Sequence, residues 1–196
     1  MSVFRNLMGA QKKSGILPAG YTQLEYIESS GSGTYATQYI HTDVKFSKDD
    51  VVKCKLIQKS DGFIFGDNNN VFCLNGSMFQ FGSSGSCTNR INITSIKNRL
   101  IEFTLDRNRL IHDGSEYDMP YPDITSYGGG LRVFWAIQDA SNRIVKACMY
   151  SFEVVGKINL IPCINPSNEV GMYDTISKQF FGNSGTGEFI AGPVIA

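Results

Sequence analysis

The segment Ile161–Pro193 reads IPCINPSNEVGMYDTISKQFFGNSGTGEFIAGP, and its pattern decides the fold. Val170–Tyr173 and Gln179–Phe181 are short apolar runs separated by Asp174–Lys178, a polar connector whose Asp and Ser side chains can bond their own backbone. Two such runs about a polar turn predict a hairpin. Gly182–Gly187 is too rich in glycine for a helix and is suited to positive φ. Glu188–Ile190 predicts a last short strand, and Gly192-Pro193 a stop. No catalytic pattern occurs in this segment. It reads as the closing strands of an all-β domain.

Working outward, the longest β-type runs are Leu131–Ile137 and Ile144–Val155. Leu131, Val133, Trp135 and Ile137 line one face and Phe134 and Ala136 the other, as in a strand covered on both sides. That alternation sends Trp135 into the core. Asp50–Gln58 alternates more simply, with Val52, Cys54 and Leu56 inward and Lys53 and Lys55 in water. Val71–Leu74 and Ser77–Phe81 flank Asn75-Gly76, which predicts a hairpin with a type I′ turn. Leu100–Leu105 and Leu110–His112 flank Asp106-Arg107-Asn108 as a further strand pair, while Gly82–Asn89 and Tyr117–Gly130 read as loops. The only helical spacing is in the first fifteen residues, where Val3, Phe4, Leu7 and Met8 share one face. A helix so short needs a partner surface to stay ordered, so residues 1–16 are expected to be an extension that docks on another protein, with a frayed tail as the alternative, and residues 17–196 to form the domain.

A second motif lies near the other end. Leu17-Pro18-Ala19-Gly20-Tyr21-Thr22-Gln23-Leu24-Glu25-Tyr26-Ile27-Glu28, continued by Thr37-Gln38-Tyr39-Ile40, resembles the opening of the concanavalin A-like lectin/glucanase (LamG-like jelly-roll) family of phage virion and gut-bacterial surface proteins. The closing segment resembles the end of the same family, so the likeness spans roughly residues 17–193 and is only compositional between the two ends. It implies an antiparallel β-sandwich of jelly-roll type. Function is implied less narrowly, because binders, enzymes and structural proteins share that fold. Two departures stand out. Ser32–Ala36 lengthens a loop, and His41 stands where the family usually has Asp, which puts a cation role for that carboxylate in doubt.

Composition narrows the chemistry. A chain of 196 residues forms a single core that buries about 70% of its unfolded surface, without staples. Eighteen basic and eighteen acidic residues give zero net charge, and without a basic excess no nucleic-acid partner is expected. No apolar run is long enough for an export signal or a membrane span, so neither a signal peptide nor a membrane partner is expected. The five cysteines are odd in number and contain no CxxC pair, so they read as buried thiols, with Cys54 and Cys148 on inward positions.

Catalysis is weakly signalled. His41 and His112 lie in no nucleophile motif and read as surface or loop-edge residues. Glycoside hydrolysis needs two carboxylates about 5–10 Å apart, for which a Glu-x-Asp-x-Glu strand pattern is the expected sign; none occurs, and Glu25 and Glu28 point to opposite faces of a regular strand. Calcium could find hard ligands at Asp67–Asn70 and Asp49-Asp50, but both read better as polar turns, and no metal or other cofactor is expected. Sugar binding needs exposed aromatic faces, for which the candidates are Tyr35 in the lengthened loop and Tyr117, Tyr121 and Tyr127 in the long loop, with Trp135 a weaker one because its strand setting favours core packing.

The expected function, taken with the resemblance, is a non-enzymatic phage structural protein: a capsid-decoration, head-fibre or tail-associated component made in the host cytoplasm. Its N-terminal segment would meet other virion proteins, in a homo-oligomer or larger assembly, and its lectin-like domain would bind host or mucosal glycans. A bacterial carbohydrate-binding surface module and a glucanase-like hydrolase are the alternatives.

Overall fold

Strands are the regular elements of the residues that the computed structural model describes, namely 16–30, 38–67, 70–83, 86–93, 96–119, 129–135 and 145–195. From the N-terminus they are β1 (Thr22–Gln23), β2 (Ile27–Ser30), β3 (Ile40–His41), β4 (Val51–Gln58), β5 (Gly62–Gly66) and β6 (Asn70–Asn75). Next come β7 (Met78–Ser83), β8 (Ser86–Asn92), β9 (Leu100–Asp106), β10 (Arg109–His112), β11 (Ser115–Asp118) and β12 (Arg132–Val133). The last are β13 (Lys146–Val154), β14 (Ile158–Ile164), β15 (Val170–Asp174), β16 (Gln179–Phe181) and β17 (Ile190–Ala191). The described residues contain no helix. Val3, Phe4, Leu7, Met8, Tyr35, Tyr121 and Tyr127 lie outside them.

Eleven strands make the larger sheet, in the run β11-β10-β9-β4-β13-β14-β15-β16 with β2 on β13, β17 on β2 and β1 on β14. Six make the smaller, in the order β3-β12-β5-β6-β7-β8, and the pairings in both are antiparallel. The two stack as a jelly-roll-like sandwich, the fold that the resemblance of the end motifs implies. β4 shows the cause: Val52, Cys54 and Leu56 are at most 1% exposed, while Lys53 and Lys55 reach Glu153 and Glu102, their register partners on the neighbouring strands. Between the layers phenylalanines interlock. Phe72 stacks on Phe103 across the sandwich at 4.9 Å, and Phe65 meets Phe152 edge-on at 5.4 Å. Burying each such ring contributes about 1.5–3 kcal/mol, which makes this cluster the main source of stability.

The two end motifs meet. β17 pairs with β2, β1 pairs with β14, and Leu24 bridges Val194. Glu25 donates to the Pro193 carbonyl at 2.8 Å and Gly192 to the Tyr26 carbonyl at 3.0 Å. Gly192 is obligatory there, since a Cβ would lie 2.6 Å from that carbonyl oxygen and 2.9 Å from the Tyr26 ring.

Several expectations change. The hairpin at Asn75-Gly76 forms, but its loop is Gly76-Ser77 with positive φ at Gly76 alone; that fits a type II′ turn displaced by one residue from the type I′ expected. Gly82–Asn89 is mostly strand, as the end of β7 and the start of β8, because backbone pairing needs no apolar pattern. Tyr117 belongs to edge strand β11 opposite Leu110, where it is half-buried against the core. Cys148 is buried, but on the face of β13 opposite to Ala147 and Met149, because sides alternate along a strand. His112 is 3% exposed, not superficial: it shares the inward face of β10 with Leu110. Its Nδ1 lies 2.9 Å from the Glu102 carbonyl and its ring 5.4 Å from Phe79.

Candidate functional site: a polar cleft beside an aromatic wall

The glycine-rich loop Gly182–Gly187 carries the site. None of its glycines takes positive φ. A Cβ on Gly182 would fall 1.8 Å from a carboxylate oxygen of Glu169, so the bare backbone lets that exposed side chain lie against it, and a larger residue would push the carboxylate aside. On one side the loop is laced to the segment around β3. Asn183 Oδ1 accepts from the N–H of Tyr39 at 2.9 Å and of Gly185 at 3.0 Å, and Ser184 donates its N–H to the Tyr39 carbonyl at 2.9 Å. Ser184 Oγ accepts from the His41 N–H at 3.2 Å. Buried Gln38 accepts from Ser30 N–H and donates to the Glu188 carbonyl, which holds the far end of the loop.

On its other side the loop faces the turn between β14 and β15. Asn165 Oδ1 accepts from the N–H groups of Ser167 and Glu169 at 2.9 and 3.0 Å, and its amide donates to the Glu169 carboxylate at 3.1 Å. Between turn and loop opens a cleft of about 340 Å³. Ser167, Asn168, Glu169, Asn183 and Glu188 supply its polar wall, and Val170 and Phe189 its apolar part. Phe189 is only 4% exposed and packs on Phe134 at 5.4 Å, so that part is rigid.

Behind the loop stands an aromatic wall. Tyr39 and Trp135 lie 4.7 Å apart between ring centroids, and the Arg132 guanidinium sits 5.2 Å over the Trp135 ring. Arg132 is opposite His41 in the β12–β3 register, so both project from one face. Burial lowers the His41 pKa, Arg132 lowers it further, and Asp43 partly offsets them. Burial also lowers the Arg132 pKa against the opposing effect of Tyr39 and Asp67.

No family model, curated protein or solved structure matches this chain. The chemistry of the site is therefore read from its own groups.

Amides, a hydroxyl and carboxylates beside an apolar wall match the hydroxyl edges and carbon faces of a sugar, and the cleft volume falls within the usual range for ligand sites. Glu169 and Glu188 are both solvent-exposed. Among the described residues no group of three or more His, Cys, Asp or Glu is placed to hold a metal ion. The described carboxylates of the two suggested calcium segments have protein partners: Asp67 Oδ1 accepts from Asn70 N–H at 2.8 Å, and Asp50 Oδ2 from Ser47 N–H at 2.6 Å and from the Lys157 ammonium at 2.7 Å.

The tyrosine chosen from the sequence that is described, Tyr117, stands in β11 at the edge of the larger sheet and has a packing role. Trp135, expected in the core, is instead half-exposed in the wall. Its partners Tyr39 and Arg132 were not singled out in the sequence. Tyr39-x-His41 is an i, i+2 pair that a face-by-face reading could have found, but the approach of Arg132 to Trp135 depends on one backbone angle.

Proposed function

We propose that this chain is a non-catalytic, glycan-binding module of lectin-like sandwich type carried on a phage particle. The observation that carries the binding reading is the cleft between Ser167–Val170 and Asn183–Phe189, with its polar wall and buried Phe189, joined through one loop to Tyr39 and Trp135. The virion setting is supported by the resemblance of the opening and closing motifs. Glycan arrays and calorimetry on the intact chain test the first part. Binding that weakens by at least about tenfold in Asn183→Ala and Trp135→Ala, with folding retained, is expected; loss of one stacked ring or one polar contact is worth about 1–3 kcal/mol. An array with no bound glycan would sink it. Antibody labelling of purified particles tests the second part, and label found only on bacterial cell surfaces would favour a bacterial module.

One observation favours a second reading. Glu169 and Glu188 line the same cleft, as the two carboxylates of a glycoside hydrolase would. Turnover of an array-positive oligosaccharide that disappears in both Glu169→Gln and Glu188→Gln would establish hydrolysis; binding without turnover is expected.

A further inference from the structure

Resting on the glycan-binding reading above, we infer that the cleft takes an amino sugar with a free amine, its charge matched by the Glu169 and Glu188 carboxylates. Both carboxylates line this one cleft, and the described residues that line it include no Lys, Arg or His. Each is carried on fixed backbone. Asn165 Oδ1 accepts from the Glu169 N–H at 3.0 Å, and the Asn165 amide donates to the Glu169 carboxylate at 3.1 Å. That carboxylate reaches from the turn to the loop, since its Oε1 occupies the space that a Cβ on Gly182 would need. Glu188 stands between two anchors. Its carbonyl accepts from buried Gln38, and the next residue, Phe189, is buried against Phe134.

A carboxylate accepts hydrogen bonds and donates none, so this lining favours a ligand rich in donors. Sugar hydroxyls are neutral donors, whereas a protonated amine is a charged one, and charge-assisted bonds are the stronger. A concave surface lined by one sign of charge also concentrates its field on the opposite sign. Carboxylated and sulfated sugars bring the wrong charge to such a cleft, and N-acetylation takes the charge off the amine. Arg132 belongs to the wall on the other side of the loop; it does not line the cleft, and Asp67 lies near it. Val170 and buried Phe189 supply the apolar part of the same cleft, against which the carbon face of the ring can lie.

The test measures, by calorimetry on the full chain at low salt, the binding of three 1,4-linked disaccharides that differ only in the group at carbon 2: the glucosamine dimer, cellobiose and the N-acetylglucosamine dimer. Both carboxylates are exposed, so each contributes modestly, and the glucosamine dimer is expected to bind about fivefold more tightly than either of the others. Glu169→Gln and Glu188→Gln, each checked for native circular dichroism, should each reduce that preference, and the double variant should erase it. Added salt should reduce it too. Equal binding of the three disaccharides, tighter binding of the N-acetylated one, or a preference that survives the double variant overturns the inference and leaves glycan binding standing. So does binding of none of the three when the array shows another glycan bound. Equally tight binding of diaminopentane, a dication without a sugar ring, would mean attraction of charge alone and overturns the amino-sugar assignment. No binding to any probe, together with a blank array, removes the glycan reading and this inference with it.

Discussion

Asp174 shows how one side chain can fix a turn. It is 1% exposed, and its Oδ1 accepts from Asn159 N–H at 2.8 Å and Ile176 N–H at 3.0 Å while Oδ2 accepts from Ser177 N–H at 2.9 Å. Burial pushes its pKa up, but the bonds from Asn159, Ser177 and Ile176 outweigh it and the net shift is downward. A depressed folded pKa contributes stability that is complete above the unfolded value, about 3.9, and is lost as pH falls through the folded one. Asp174→Ala should therefore cost about 2–3 kcal/mol at neutral pH. In urea titrations across pH the gap to the parent chain should narrow below the unfolded value; a gap that widens on acidification would refute the assignment. The thiols give a second residue-scale prediction. Cys54, Cys73, Cys148 and Cys163 are buried, and burial pushes Cys163 up to about 12 against a bond from the Tyr173 backbone. In a Cys87→Ser chain none of the four should react with a disulfide reagent at mildly alkaline pH until denaturant is added. Rapid labelling of any one in the native protein would contradict the burial.

At the scale of elements, strand alternation was legible wherever one face is wet, and misleading where both faces are apolar. β4 could be read outright because lysines mark its outer side. In the run after Leu131 every residue but Arg132 is apolar, so parity alone assigned the faces, and parity fails at Phe134. Its φ of 71° breaks the strand after Val133, turns Phe134 into the core at 0% exposure and brings Trp135 out beside Arg132. Such a φ is costly for a large side chain and leaves no trace in hydrophobic period. The same limit hid His112, whose neighbour Leu110 was the better guide to its direction. The closing seam is the converse case, where glycine and proline signalled a stop and the structure shows why the glycine is required. Gly192→Ala should cost about 1–3 kcal/mol by forcing β17 away from Tyr26. Hydrogen exchange should then quicken in Ile27–Ser30 first; uniform quickening across both sheets would argue against a local seam.

For the whole molecule, the pairing of the two ends has a consequence for cooperativity. The larger sheet takes β1 and β2 from the opening of the chain and β14 to β17 from its close, so its strands cannot all pair until the full length is available. Removing Gln179–Ala196 takes away β16, leaves β2 without β17, deletes Phe189 from the core and strips the loop that holds Tyr39. Each loss is a few kcal/mol, comparable together to the whole stability of a domain this size. The truncated chain should therefore lack a cooperative unfolding transition and bind hydrophobic dye, whereas the intact chain should unfold in one step. A truncated chain with a sharp transition and a native-like spectrum would mean that the remaining strands hold the sandwich, and that the closing segment serves the cleft alone. The expected result ties site and fold together: the loop that shapes the cleft sits in the segment that completes the sheet, so the cleft forms only when the fold does.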